Sequence, residues 1–373
     1  MKKIGITCYP TVGGSGIIAT ELGKLLAQQN YEVHFITSSL PFRLDCINPN
    51  IYYHEVTLTH YPVFQYPPYD LALAAKMAEV IEREELDILH VHYAMPHAIS
   101  AILARDLASH DVKIVTTLHG TDITVLGFDK LFKRMITYGI ENSDAVTAVS
   151  QGLVNQTKNH LHVKKDIEVI YNFVNEADYQ KKERTFLKEH YQIKPNEKVI
   201  IHISNFRKVK RIGDVIDTFA NINQSIPSKL IFAGDGPELQ TAMEQVKKLQ
   251  LEDQVIFLGK QKNISELLSI ADLKLLMSEQ ESFGLVLLEA MACEVATIGT
   301  DVGGIPEVIK DGETGYIVDV GDTERASELA LRLLNDEELL ERFSKQARRR
   351  MEENFSSDTI ISQYIQLYER LLR

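Results

Sequence analysis

The chain has 373 residues, with 40 basic and 52 acidic side chains and a net charge of −12, long enough for two domains of ordinary size. Hydrophobic residues make up 45% and charged residues 25%, which excludes a disordered or low-complexity chain. Residues 1–168 hold 14 basic and 18 acidic side chains and residues 169–373 hold 26 and 34, so neither half carries the basic footprint of a nucleic-acid or membrane-docking surface.

Short apolar, β-branched runs predict strands at 3–8, 32–37, 51–58, 88–93, 113–118 and 145–149. Amphipathic stretches between them, such as 17–29 and 71–83, predict helices. A short strand at 168–171 precedes a polar region holding KKER and KPNEK, where the domain boundary is expected. Strands then resume at 199–204, 229–233, 254–258, 273–277, 296–299 and 315–318. The last segment, 356–373, has helix spacing and is long enough to reach back to the first domain. Alternation of this kind reads as α/β, two doubly wound Rossmann-like domains facing a cleft. The expected divisions are an N-terminal domain at 1–168, a C-terminal domain at 169–355 and a terminal helix at 356–373.

The N-terminus MKKIGITCYP runs into a strand rather than a signal peptide. No apolar run approaches the roughly 20 residues that span a membrane. Cys8, Cys46 and Cys293 have neither metal nor disulfide spacing, and a reducing cytoplasm is the expected location.

Ligands of doubly wound sheets bind beyond the carboxyl ends of the strands, and five motifs fall there. Gly13-Gly14-Ser15-Gly16 follows the first strand and opens a helix, an arrangement suited to an anion. It matches G-x-G-x-x-A literally, but the loop from Cys8 is too long and the second strand ends in Thr37-Ser38-Ser39 without an acid for a ribose, so a dinucleotide is not expected. His119 ends a strand beside Gly120 and is a candidate for a hydroxyl or a developing charge. His90 and His92 share a strand face, and no third ligand has fitting spacing, so packing is expected of them. Ser204-Asn205-Phe206-Arg207-Lys208-Val209-Lys210-Arg211 places four cations in five positions, enough to neutralise a diphosphate. Gly234-Asp235-Gly236-Pro237-Glu238 is a tight turn into a helix. By contrast, Arg348-Arg349-Arg350 beside Glu352-Glu353 reads as a solvated helix face.

The fifth motif is Glu281-Ser282-Phe283-Gly284-Leu285-Val286-Leu287-Leu288-Glu289. Eight residues of helix span roughly 12 Å, about the separation of the two sugars in a nucleotide-diphospho-sugar. A helix start between two carboxylates offers backbone N–H groups to the diphosphate.

Together GGSG, LHGTD, SNFRKVKR, AGDGPE, the E-x7-E of ESFGLVLLEAMA and VGGIPEVI resemble the retaining glycosyltransferases of family 4, of GT-B fold, along the whole chain. GITCYPTVGGSGIIATELG, YPPYDLALAAKMAEV, HVHYAMPHA and TTLHGTDITVLG resemble the bacillithiol-pathway branch of that family, which joins UDP-GlcNAc to L-malate. The resemblance implies UDP-GlcNAc as donor, L-malate as acceptor, no cofactor and no metal. It implies that Glu281 binds donor sugar hydroxyls and Glu289 the ribose. Arg207 and a lysine, Lys210 ahead of Lys208, would neutralise the diphosphate; the family's usual Arg-to-Lys spacing is longer than that from Arg207 to Lys210, which leaves both lysines open. Gly14, Gly16, Phe283, Gly284, Leu285 and Val286 would complete the cradle, with the uracil near Gly236 and Lys260. His119 would face the transferring sugar. The incoming hydroxyl would attack from the face the diphosphate leaves, and a phosphate oxygen would take its proton.

For the acceptor, charge and place suggest Ser15, Tyr93, Thr117, Asn205 and Arg207. Alternatives are a lipid or polysaccharide acceptor, or a UDP-sugar epimerase of the same fold. Neither nucleic acid nor a membrane is an expected partner, and a homo-oligomer is compatible with the sequence. The chain departs from the family in having Glu294 and Ala296 where Gly and Pro are usual. If position 294 has a left-handed backbone, glutamate there costs about 1 kcal/mol.

Overall fold

The computed structural model describes residues 1–11, 13–44, 48–58, 66–182 and 185–373; Cys46 and the second half of the KKER run lie outside them. The chain divides into two compact units, Met1–Asn172 with Ser357–Arg373, and Phe173–Ser356.

The first unit is built on β1 (Lys3–Thr7), β2 (Glu32–Thr37), β3 (Ile51–Glu55), β4 (Ile88–His92), β5 (Lys113–Leu118), β6 (Ala145–Ala148) and β7 (Ile167–Val169). They form a wholly parallel sheet in the order β3-β2-β1-β4-β5-β6-β7. The second unit has β8 (Lys198–Ile203), β9 (Ser228–Ala233), β10 (Val255–Phe257), β11 (Leu273–Leu276), β12 (Ala296–Thr300) and β13 (Gly315–Val318). Its parallel sheet runs β10-β9-β8-β11-β12-β13. The order reverses between β1 and β4 in one sheet and between β8 and β11 in the other, and these are the switch points where doubly wound sheets open for ligands.

Every predicted strand coincides with one of these. They are continuous apolar runs because helices cover both faces. In the second unit Leu230, Phe232, Leu273, Leu275 and Ile298 pack against Val215, Ile216 and Phe219 of the helix Ile212–Asn223. That helix repeats its apolar residues at helical spacing, and each such side chain contributes about 1.5–3 kcal/mol on burial. In the first unit Leu73, Met77, Val80 and Ile81 of the helix Tyr69–Glu84 pack against Ile36, Leu89 and Val91.

The terminal helix Ser357–Leu371 is part of the first unit and buries Ile360, Ile361, Tyr364, Leu367 and Tyr368. His90 ties it to the sheet: Nδ1 bonds the Tyr368 hydroxyl at 2.6 Å and Nε2 the Thr117 hydroxyl at 2.7 Å.

Two expectations are corrected. The first helix runs from Gly14 to Gln28 rather than from 17, because Gly-Ser-Gly carries no apolar signal yet fits a first turn. Arg348 and Arg350 are not a solvated face. Arg348 Nη1 donates to the carbonyls of Tyr179 and Ala292, so it caps the C-terminus of the helix Leu285–Ala292. Arg350 donates to the carbonyls of Val308 and Glu307 at 2.8 and 2.7 Å. Only Arg349 of the three is exposed, paired with Glu353.

Glu294 follows that same helix at φ +54. Its N–H bonds the Met291 carbonyl and that of Val295 bonds Ala290, a Schellman ending that glycine favours. Glu294→Gly is therefore expected to stabilise the chain by about 1 kcal/mol in urea denaturation. A lower midpoint would contradict this.

Candidate active site

In the second unit the predicted motifs converge beyond the carboxyl ends of β8, β9, β11 and β12. Phe206 is fully buried and anchors the cationic loop after β8. The glycine turn after β9 lies directly against it. Gly234 has φ +139, and a Cβ there would stand 1.8 Å from the Ser204 carbonyl oxygen. At Gly236 a Cβ would meet the Phe206 backbone at 2.8 Å, and the Glu238 N–H donates to the Phe206 carbonyl at 2.9 Å. Gly234 also donates to the Gly259 carbonyl at 2.8 Å, which brings the loop of exposed Lys260 alongside. The VGGIPE turn packs in the same way on Glu281: Gly303, at φ +54, leaves no room for a side chain against the Glu281 carbonyl. Larger residues at Gly234 or Gly303 would push these loops apart.

The two carboxylates have different settings. Half-buried Glu281 lies in the loop and accepts from Lys210 Nζ at 2.5 Å. Glu289 is buried in the helix Leu285–Ala292 and accepts from the Tyr179 hydroxyl at 2.6 Å. Only the four steps from Leu285 to Glu289 are helical, a rise of about 6 Å. The loop sets the rest of the separation, so the figure of 12 Å for an unbroken helix does not apply. Arg207, Lys208 and Asn205 are exposed, whereas Lys210 is turned to Glu281. Gly284 opens the helix at φ +91. The Phe283 ring is buried against Phe355, leaving only its backbone for a ligand, and Leu285 and Val286 are half-buried in the first turn.

In the first unit, residues on either side of the switch point meet. Ser15, in the helix after β1, shares a 2.8 Å hydrogen bond with the hydroxyl of Tyr93, which follows β4. Tyr93 is held at φ +89, ψ 132, a conformation that costs of order 1–3 kcal/mol and is found where the surroundings over-determine a functional residue. His119 stacks on His92, with His119 Nε2 and His92 Nδ1 2.8 Å apart, and its ring lies 5.4 Å from that of Tyr93. Burial pushes the pKa of His119 down to about 3, so its imidazole is uncharged at neutral pH. Gly14 is exposed at the helix start.

Two of the predicted site residues of the first unit are buried. Thr117 is fully buried, and its hydroxyl is committed to His90 at 2.7 Å and Thr147 at 2.7 Å, so it does not face an acceptor. Gly16 is buried, and a Cβ there would stand 2.5 Å from the Tyr9 carbonyl, so glycine is needed to seat the loop on the helix.

Sequence reading also missed Asp122 and Tyr179. Fully buried Asp122 accepts from the N–H groups of Ala94 at 2.9 Å and Gly120 at 3.0 Å, locking the loops of Tyr93 and His119 together. Desolvation raises its pKa to about 6 against the pull of these donors. The TD after LHG was the available signal for it; Tyr179 stands in a polar stretch with no motif around it.

Among the described residues, His34, His54 and Glu84 hold ligand atoms close enough for a metal ion. Their hydrogen bonds already form a closed chain. Arg83, which can only donate, bonds His54 Nδ1 at 3.0 Å. His54 is then protonated at Nε2 and donates to His34 Nδ1 at 2.9 Å, and His34 Nε2 donates to Glu32 at 2.9 Å. Neither histidine keeps a ring-nitrogen lone pair for an ion, and Glu84 accepts from Arg83 Nε at 2.7 Å.

Two doubly wound units, the second with paired carboxylates and cations beyond the strands of its own sheet, are the architecture of a sugar-nucleotide transferase. Residues 12–178 match the model of Glycosyltransferase Family 4, and residues 183–350 that of Glycosyl transferases group 1. The chain is 59% identical over 371 residues to the N-acetyl-alpha-D-glucosaminyl L-malate synthase of Bacillus anthracis, covering 100% of this chain and 97% of that protein. Its fold is similar to that of a glycosyltransferase from Rickettsia africae (TM-score 0.82, 21% identity, 100% and 99% of the two chains). It is equally similar to Anabaena HepE in complex with UDP and glucose (TM-score 0.82, 20% identity, 99% of each chain). The chain belongs to glycosyltransferase family 4, with the GT-B fold. Among the described residues no helix is long and apolar enough to cross a membrane.

Proposed function

We propose that this glycosyltransferase moves N-acetylglucosamine from UDP-GlcNAc to the hydroxyl of L-malate, giving GlcNAc-malate and UDP, with retention of configuration and without a metal. That is the first step of bacillithiol synthesis, and we place it in the cytoplasm. The observation that carries this reading is the 59% identity, along the full chain, to the Bacillus anthracis enzyme of that name.

The second unit holds the donor. Glu281 accepts from the hexose hydroxyls and Glu289 from the ribose. Arg207 and Lys210 meet the diphosphate, together with the first-turn N–H groups of the helix Leu285–Ala292. The uracil rests near Gly236 and Lys260. The bond from the anomeric carbon to the diphosphate breaks while the malate oxygen bonds to that carbon from the same face. The malate proton passes to a diphosphate oxygen, so no side-chain base is needed. Uncharged His119 suits a carbon that gathers positive charge, because an imidazolium would oppose it. Ser15, Tyr93, Asn205 and Arg207 supply donors for the malate carboxylates.

The test is UDP release from UDP-GlcNAc with EDTA throughout, with and without L-malate. Release that depends on malate supports the reading. Equal release without malate overturns the acceptor, and loss of activity in EDTA overturns metal independence. Tyr93→Phe removes the hydroxyl shared with Ser15 and is expected to raise the KM for malate about tenfold, the equivalent of one charge-assisted hydrogen bond. The KM for UDP-GlcNAc should not move, and a shift confined to the donor would assign Tyr93 differently.

A further inference from the structure

The sheet of the second unit holds a lysine in its interior. Lys274 lies on β11, one of the two strands at the switch point, and is fully buried. Its neighbours in register are Ile201 and Thr297. Leu273 and Leu275 on either side of it belong to the apolar core. Its Nζ has no hydrogen-bond partner, and neither has the buried hydroxyl of Thr297 beside it. An unpaired ammonium in such a place is costly, and leucine or methionine would fill the position without that cost. The charges that act on Lys274 are those of the donor site: Glu289 most strongly, then Lys210, then Glu281.

We infer that Lys274 is a positioning residue of the donor site, whose buried, unpartnered ammonium attracts the carboxylates of Glu289 and Glu281 and sets them to accept from donor hydroxyls. The inference rests on the donor reading above and adds a residue that never touches the donor. Lys210 serves Glu281 by direct contact, and Tyr179 serves Glu289 with one hydroxyl.

A consequence follows for protons. Desolvation lowers the pKa of Lys274 to about 7, and the repulsion of Lys210 works in the same direction. The groups that act on it are Glu289 from the helix Leu285–Ala292, Glu281 from the preceding loop, Lys210 from the turn after β8, and His202 on β8, whose own pKa Lys274 helps to depress. A bound diphosphate neutralises Lys210 and adds negative charge. Both changes favour the ammonium of Lys274, so donor binding takes up a proton above pH 7 and weakens as pH rises from 7 to 8.5.

The experiment is calorimetric titration of the full-length protein with UDP-GlcNAc at pH 7.5, in two buffers of different ionisation enthalpy, for wild type and Lys274→Met. Wild type is expected to take up a fraction of a proton. Lys274→Met is expected to take up none and to bind about fivefold to tenfold more weakly, with an unchanged or higher Tm. In turnover its KM for UDP-GlcNAc should rise while kcat changes little. Wild-type affinity and wild-type proton uptake in Lys274→Met would overturn the inference and leave the donor reading intact. Should the variant fail to fold, the wild-type titration from pH 6 to 8.5 decides, and affinity independent of pH overturns the inference. Absence of UDP-GlcNAc binding by wild type overturns the donor reading and this inference with it.

Discussion

Replacing Lys210 with methionine is expected to lower kcat for UDP release by about two to three orders of magnitude, or about 3–4 kcal/mol of transition-state stabilisation. The ammonium has two tasks. It holds the Glu281 carboxylate at 2.5 Å, and in the proposed reaction it meets the charge that grows on the departing diphosphate. The second interaction is stronger in the transition state than in the bound substrate, so the loss falls on kcat rather than on donor KM. Methionine keeps the stem and removes only the charge. Lys208→Met is the control, since that side chain is exposed two residues away, and it is expected to stay within about threefold of wild type. Steady-state UDP release by both variants checks this. Equal losses would mean that the loop acts through its summed charge and not through the contact with Glu281.

Acidification is expected to open the first unit before the second. His90, His92 and His97 are fully buried in the first unit, and desolvation lowers all their pKa values, to about 3 for His90 and about 4 for His97. A histidine with a depressed folded pKa contributes stability above its unfolded pKa of about 6.5 and loses it as pH falls below that value. At pH 5 His90 and His97 each cost about 2 kcal/mol relative to pH 7, and His92 acts in the same direction. Asp122 works in the opposite sense. Its pKa is raised to about 6, so its contribution is full in acid and is lost as pH rises through 6, returning only about 1 kcal/mol between pH 7 and 5. In the second unit His202 is the one buried histidine among the described residues with a lowered pKa. Hydrogen exchange at pH 7 and pH 5 measures this. Peptides from 1–172 should lose protection first, and earlier loss across 173–356 would contradict the account.

The sheet architecture was legible because apolar β-branched runs alternate with amphipathic stretches of the right length. The loops that matter were legible because glycine and charge mark them: SNFRKVKR, GDGPE and the E-x7-E motif all fall beyond the strands of one sheet. Other features depend on tertiary contacts and leave no local trace. The resemblance puts Lys210 ahead of Lys208 but leaves both open, and the turn geometry decides which one turns to Glu281. Thr117 resembles a strand-end ligand until the packing of His90 and Thr147 claims its hydroxyl. Arg348 and Arg350 carry the spacing of a surface face, yet they cap neighbouring helices. Lys274 sits inside LKLL, where an apolar reading passes over the residue that carries the charge.

The central claim is transfer of N-acetylglucosamine to malate with retention, and proton NMR of a reaction of UDP-GlcNAc with L-malate tests it most directly. The account predicts one product, N-acetylglucosamine in the α configuration on the malate hydroxyl, formed in equal amount with UDP. Free N-acetylglucosamine with malate unconsumed, or a β-linked product, would contradict it.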